Sequence, residues 1–280
     1  MSAAAARTSV RDLLYEEPGP KTKRVVWAAT AVSAVLVLVG LGLVVRQFYD
    51  TGQLDAKYWS LFAKVSTWRF IGEGLLGTLE SALVGGLIAL VLGLVFMLGR
   101  TSDHRLVRGV SIVFIDFFRG VPSLLLIYFF FLVAPRYGLK MSSFWMITLP
   151  VGLSASGVVA EVLRSGVNAV PRGQFEAAKA LGLRKMKTMA LVVLPQALRM
   201  VVPALISQLV IVVKDTAFAY VVNFPDLMQN AKVLISGHDA LVSVYFVVAV
   251  IYILLNYLIN RFAVELSRRS GSSKPVSTTV

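Results

Sequence analysis

Long apolar runs separated by short polar segments set the pattern of this chain. Residues 25–45 are an unbroken apolar run whose length, at 1.5 Å per residue, matches a hydrocarbon core of roughly 30 Å. Further runs over residues 75–98, 110–133, 144–163, 201–222 and 240–260 predict five more spans. The expected fold is therefore an all-α integral membrane protein with six transmembrane helices. Residues 1–24 form a polar tail before the first span, and residues 263–280 form another after the last. A cleaved signal peptide is the competing reading of residues 25–45, but the run is too long and no small-residue cleavage site follows it.

Between the first two spans, residues 46–74 are polar, with Tyr58, Leu61, Phe62, Val65 and Trp68 at three- and four-residue spacing. This predicts an amphipathic helix flat on the outer surface, with a plain extracellular loop as the alternative. Within the second span, Ala82, Gly86, Ala89 and Gly93 place small residues on one helix face, a seam for close packing of a neighbouring helix.

Composition supports the membrane reading: 57% of residues are hydrophobic and 15% charged, and mean hydropathy is +0.75. The net charge of +13 looks at first like a nucleic-acid footprint. Most Lys and Arg, however, fall in the N-terminal tail, the Arg100–Arg108 loop, residues 164–200 and the C-terminal tail. By the positive-inside rule these segments are cytoplasmic, so both termini lie inside and nucleic acid is not an expected partner. Absence of cysteine removes disulfides, thiolate metal sites and cysteine nucleophiles.

Two spans break the apolar rule. The third contains Asp116 and Arg119, three residues apart, then Gly120-Val121-Pro122. Pro122 cannot donate to the Phe118 carbonyl, so the helix is expected to open part-way through the bilayer, which is tolerated only against protein or a water-filled cavity. Arg119 is then either a bidentate carboxylate ligand or half of a self-neutralising pair with Asp116. The fifth span carries Lys214-Asp215-Thr216, and each charge at mid-helix costs roughly 3 kcal/mol. Adjacent helical residues point about 100° apart, so Lys214 and Asp215 must face different partners, with Glu80 a candidate for Lys214. Together the three offer an ammonium, a carboxylate and a hydroxyl, the groups a zwitterionic amino acid needs; a charged lock between helices is the alternative.

The loop over residues 164–200 is itself organised. Pro171 begins a predicted helix over 174–181 that displays Phe175, Ala178 and Leu181 on one face. Gly182 suits a left-handed helix end. A second helix is expected over 183–193, with Met186, Ala190 and Val193 on one face, before Pro195 ends or bends it. Ala177-Ala178 would let another protein approach the backbone, and Glu176 could reach a cationic partner. A helix, a turn and a helix can also bind DNA, but attachment to two spans argues against that.

Glu176-Ala177-Ala178, Gly182, Val192 and Leu194-Pro195 resemble the signature loop of ABC importer permeases. Arg119-Gly120-Val121-Pro122, Glu161 to Arg164, Gly173-Gln174 and Lys214-Asp215-Thr216 extend the resemblance, over roughly residues 74–261, to the polar amino-acid uptake branch. Two departures, Ala217-Phe218 where the family usually has Ser-Leu and Val158 where it commonly has tyrosine, leave the exact amino acid open.

The resemblance implies a non-enzymatic permease subunit of an ATP-driven importer in a prokaryotic cell membrane. Its cytoplasmic coupling loop, with Gly173, Gln174, Glu176, Ala177, Ala178 and Gly182, would dock on an ATP-binding cassette ATPase dimer. ATP and Mg would be bound by that partner, since this chain has no Gly-x4-Gly-Lys-Ser/Thr loop and no cofactor of its own. A second permease subunit, an external amino-acid-binding protein and membrane lipid complete the expected partners. Arg119, Lys214, Asp215 and Thr216 are the expected substrate contacts. Two cations against one anion tilt the choice of polar amino acid towards glutamate. Glu80, Asp116, Pro122, Glu161 and Arg164 are expected in structural or ion-pairing roles. Two other readings stand beside this one: an ion-coupled secondary transporter using Asp116, Lys214 and Asp215 as a relay, and a membrane anchor.

Overall fold

The computed structural model describes residues 19–269, so most of the N-terminal tail and residues 270–280 lie outside the described residues. All its regular structure is helical. Five helices are long and apolar enough to cross a membrane, or up to six if one bent pair counts as a single span. The described residues divide into two compact units, with the boundary after Asp55.

In the first unit, α1 (Pro20–Asp50) begins with Gly19 at its N-cap and Pro20 in its first turn, where a missing N–H costs nothing. It contains the predicted 25–45 span and exceeds it by about a turn at each end.

The second unit opens with α2 (Ala56–Trp59) and a 3-10 turn, Ser60–Ala63. This is the expected outer amphipathic segment, broken into short pieces rather than one helix. Leu61 is buried beside α10 (Leu227–His238) and α11 (Leu241–Arg269), the Thr67 hydroxyl donates to the Leu61 carbonyl, and Ser243 donates to the Tyr58 carbonyl.

The long helix α3 (Val65–Arg100) packs chiefly against α6 (Ser143–Ala169), which lies between it and α9 (Leu194–Asp215). Three members of the predicted small-residue seam, Ala82, Ala89 and Gly93, are buried, and a side chain at Gly93 would sit 2.6 Å from Val159 on α6. Gly86 is not on that face. Gly85 takes its place, near the α6 backbone at Thr148, while Gly86 turns towards Leu209 on α9. At the other end of α3, Gly74 and Gly77 lie against the Pro225-Asp226 backbone that leads into α10.

The third apolar run is not one straight helix. α4 (Arg105–Gly120) and the following segment, which begins with α5 (Ser123–Tyr128), differ in direction by 99°. Val121 caps α4 with an N–H to the Phe117 carbonyl but is extended (φ −87°, ψ 125°), the conformation forced on a residue preceding proline. Gly120 is still helical, so the break falls at Val121-Pro122.

The cytoplasmic-loop prediction is refined similarly. α6 continues past 163 to Ala169; α7 (Arg172–Ala180) and α8 (Lys185–Thr188) follow. Pro195 does not end a helix: a π turn, Met189–Val193, runs directly into α9 and carries the chain through it.

Asp226, at the N-cap of α10, is wholly buried and accepts the Gln229 amide at 2.7 Å. Its second oxygen has no hydrogen-bond partner among the described residues. Burial pushes the carboxyl up from 3.8 to about 6. The folded protein therefore binds this proton more tightly than the unfolded chain does. The stability is fully present below about pH 4 and declines as pH rises through 6, by up to about 3 kcal/mol. Asp226→Asn keeps the cap and removes the ionisable group. Its thermal unfolding midpoint in detergent should exceed the wild type's at pH 7.5, and the difference should vanish near pH 4. Parallel pH profiles for the two proteins would contradict this.

Candidate functional site

Three helices converge on one carboxylate. Glu161, on the buried helix α6, receives Arg100 from the last turn of α3, Arg164 from its own next turn at 2.8 Å, and Arg119 from the last turn of α4 at 3.9 Å. The side chain of Glu161 is 17% exposed and that of Arg119 47%. Arg119 is thus the outermost and most loosely held of the three guanidiniums. Asp116 forms no ion pair with it, so the self-neutralising alternative is not what the fold contains. Gly157, one helical turn before Glu161, seats the Arg119 stem: a side chain there would lie 2.9 Å from Arg119 Cγ and from the Ile115 carbonyl.

The second group lies where α9 ends and a 3-10 turn, Thr216–Val222, begins. Lys214, Asp215 and Thr216 face three ways, as their helical spacing requires. Lys214 is exposed and has no ion pair among the described residues. Glu80 is also exposed and has no ion pair among the described residues, so the expected Glu80–Lys214 contact is absent. Lys214 instead borders a cleft of about 500 Å³ with Met228, Tyr245, Tyr252 and Asn256. Asp215 is half-buried and faces the Ser123 hydroxyl, just past the Pro122 break. Thr216 is fully buried and donates to the Val213 carbonyl at 2.8 Å, which leaves its hydroxyl committed to the backbone.

The third group is the loop. α7 ends in a Schellman motif: Leu183 N–H reaches the Ala178 carbonyl, Gly182 N–H reaches Lys179, and Gly182 has φ +71°. Gly173, Glu176 and Ala177 are exposed, and Glu176 has no ion pair among the described residues. Ala178 is buried against the rest of the chain, so Ala177 alone of the alanine pair is available to a partner. Glu176 lies in the second turn of α7, beyond the strongest reach of the helix dipole. Leu181 is 81% exposed rather than on the buried face. Met189, Val193 and Ala197 form the inner face of the following helix; Met186 and Ala190 are outside. Gln174 is exposed as well, but its side chain accepts from Gln196 of α9 at 3.2 Å.

Lys185 of α8 bonds Asp103 in the loop between α3 and α4 and holds the Asp103 carboxyl below its usual range. This contact, like those of Arg100 and Ser123, had no sequence signal, because its partners are far apart in the chain. Gly157 stands four residues before Glu161, on the same helix face, and that spacing could have marked it.

A bundle with a broken span, charged side chains beside the break and an organised loop of short helices fits a transport subunit. The profile described as "Binding-protein-dependent transport system inner membrane component" matches residues 85–271. The chain belongs to that family, and within it to the permeases of amino-acid ABC importers. It is 37% identical over 229 residues to the glutamate transport system permease protein GluD of Corynebacterium glutamicum, covering 80% of this chain and 84% of that one. It is 30% identical to the probable glutamine ABC transporter permease protein GlnP of Bacillus subtilis, covering 71% and 91%. A crystal structure of an amino acid ABC transporter with histidines superposes with a TM-score of 0.69 at 26% identity, over 74% of this chain and 97% of that one. An inward-facing MetNI methionine ABC transporter shares the fold, with a TM-score of 0.64 at 21% identity over 74% and 99%.

Proposed function

We propose that the chain forms half of the path through which an ATP-driven importer carries a polar amino acid, glutamate or a close relative, into the cell. The observation that carries this reading is Lys214: an ammonium near the end of an apolar helix, exposed to a cleft and paired with no carboxylate among the described residues. Such a charge facing lipid is costly, up to roughly 3 kcal/mol at the bilayer centre, so its face belongs to an aqueous path or a subunit interface. Arg119, half-exposed beside the Pro122 break, supplies a second cation, and Asp215 a carboxylate for an amino group. Thr216 contributes by fixing the turn. Six spans with both termini inside put the α7–α8 loop in the cytoplasm. There Gly173, Glu176, Ala177 and the Gly182 turn dock on an ATPase dimer that holds ATP and Mg. A second permease subunit and an external binding protein named by the family's description complete the assembly, and nucleic acid has no part in it.

Uptake of radiolabelled glutamate, glutamine and aspartate by cells expressing the assembled transporter tests this. Arg119→Ala and Lys214→Ala should each lower uptake at least about tenfold, the loss of one charge-assisted contact of about 1.5 kcal/mol or more, at unchanged membrane abundance. Wild-type uptake by both variants would reject the assignment.

A further inference from the structure

We propose that Glu161 is the release partner of Arg119: an internal carboxylate that competes with the transported amino acid for the same guanidinium. This rests on the reading that Arg119 holds the substrate carboxylate. Glu161 does not need Arg119 for its own neutralisation. Arg100 and Arg164 already bond both of its oxygens, and they alone leave the cluster with a positive excess. At 3.9 Å, Arg119 makes an ion pair with Glu161 but no hydrogen bond. It stands within a small side-chain movement of a full bond, while almost half of its surface remains open to another anion.

The backbone keeps that movement local. Arg119 occupies the last turn of α4, its stem rests on Gly157, and the chain turns away at Val121-Pro122. The guanidinium can therefore swing between Glu161 and the open side without α4 moving. Gly157 and Glu161 share one face of α6, so seat and competitor travel together. A shift of α6 relative to α4 would tighten or loosen the Glu161 contact and so set how much of Arg119 is left for substrate. A ligand that must take a group from an internal partner binds more weakly by the fraction of time the group is free.

The test is binding and dissociation of radiolabelled L-glutamate and L-glutamine on the detergent-purified permease–ATPase assembly without nucleotide. Glu161→Gln keeps one acceptor oxygen for Arg100 or Arg164 but no longer draws Arg119 by charge. If Arg119 spends about nine-tenths of its time on Glu161, the variant should bind about tenfold tighter and release correspondingly more slowly. In an Arg119→Ala background the same change should have no such effect. A merely structural role predicts weaker binding, never tighter. Unchanged or weakened binding in Glu161→Gln, or equal tightening with Arg119→Ala, overturns the proposal. Should that variant fail to assemble, Glu161→Asp, which keeps the charge but shortens its reach towards Arg119, must show the tighter binding; failure of both to assemble makes Glu161 a structural lock and also overturns it. A wild-type assembly that neither binds nor takes up any polar amino acid would instead bring down the functional reading beneath it.

Discussion

Glu176→Arg is expected to abolish ATP-driven uptake, by about 100-fold or more, while the protein remains in the membrane at normal abundance. Glu176 is exposed, has no ion pair among the described residues, and sits beside Gly173 and Ala177 on the outer face of α7. Reversing its charge breaks no contact within the chain, so the fold should not respond. At a docking surface, apposing like charges costs several kcal/mol, and about 2.7 kcal/mol already corresponds to a hundredfold. Uptake and ATP hydrolysis should be measured together in reconstituted vesicles, with and without the external binding protein. The expected signature is loss of uptake together with loss of the binding protein's control over hydrolysis. Normal coupled transport would show that this face of α7 does not receive the ATPase.

The largest structural effect is expected at Gly77. A side chain there would collide with the Pro225 carbonyl oxygen, and its next neighbours, the Pro225 carbon and Asp226 Cα, are also backbone atoms that cannot rotate away. Gly77→Val should cost about 3 kcal/mol, the upper end of overpacking, and should pull α3 off the loop that caps α10. The readout is the monodisperse fraction after detergent extraction and its thermal midpoint. Gly109→Ala, on α4 with nothing within 4 Å of the added carbon, should match the wild type in both. Equal behaviour of the Gly77 and Gly109 variants would contradict the packing.

Much of this molecule is legible one residue at a time because the bilayer permits few arrangements. Apolar runs mark the spans, a glycine after a short amphipathic stretch marks the Gly182 turn, and a proline after Arg119 marks the break. The size of that break, 99°, was not legible, since a proline states that a helix must interrupt but not where the chain then packs. The choice of Gly85 over Gly86 for the α6 contact was missed for a similar reason. Adjacent glycines differ by about 100° around the axis, and only the position of the neighbouring helix decides which is used. The alanine pair at 177 and 178 divides between partner and core in the same way. Arg100 illustrates the remaining limit: it reads as one more basic residue near a loop, and only folding brings it 61 residues along the chain to Glu161.

The helix that leaves the α7–α8 loop has a mechanical consequence. From Lys185 to Val222 the chain is helical throughout, and its weak points are the π turn at Met189–Val193 and Pro203, where Ser207 donates back to the Pro203 carbonyl at 3.0 Å. Between Pro203 and Lys214 there is neither glycine nor proline, so that length, about 16 Å, behaves as a stiff arm. A tilt of about 10° at its base displaces the far end by about 3 Å, the reach of a single hydrogen bond. A modest flexion at Pro203 would therefore carry the Lys214 ammonium, at the edge of its cleft, through about the length of one hydrogen bond.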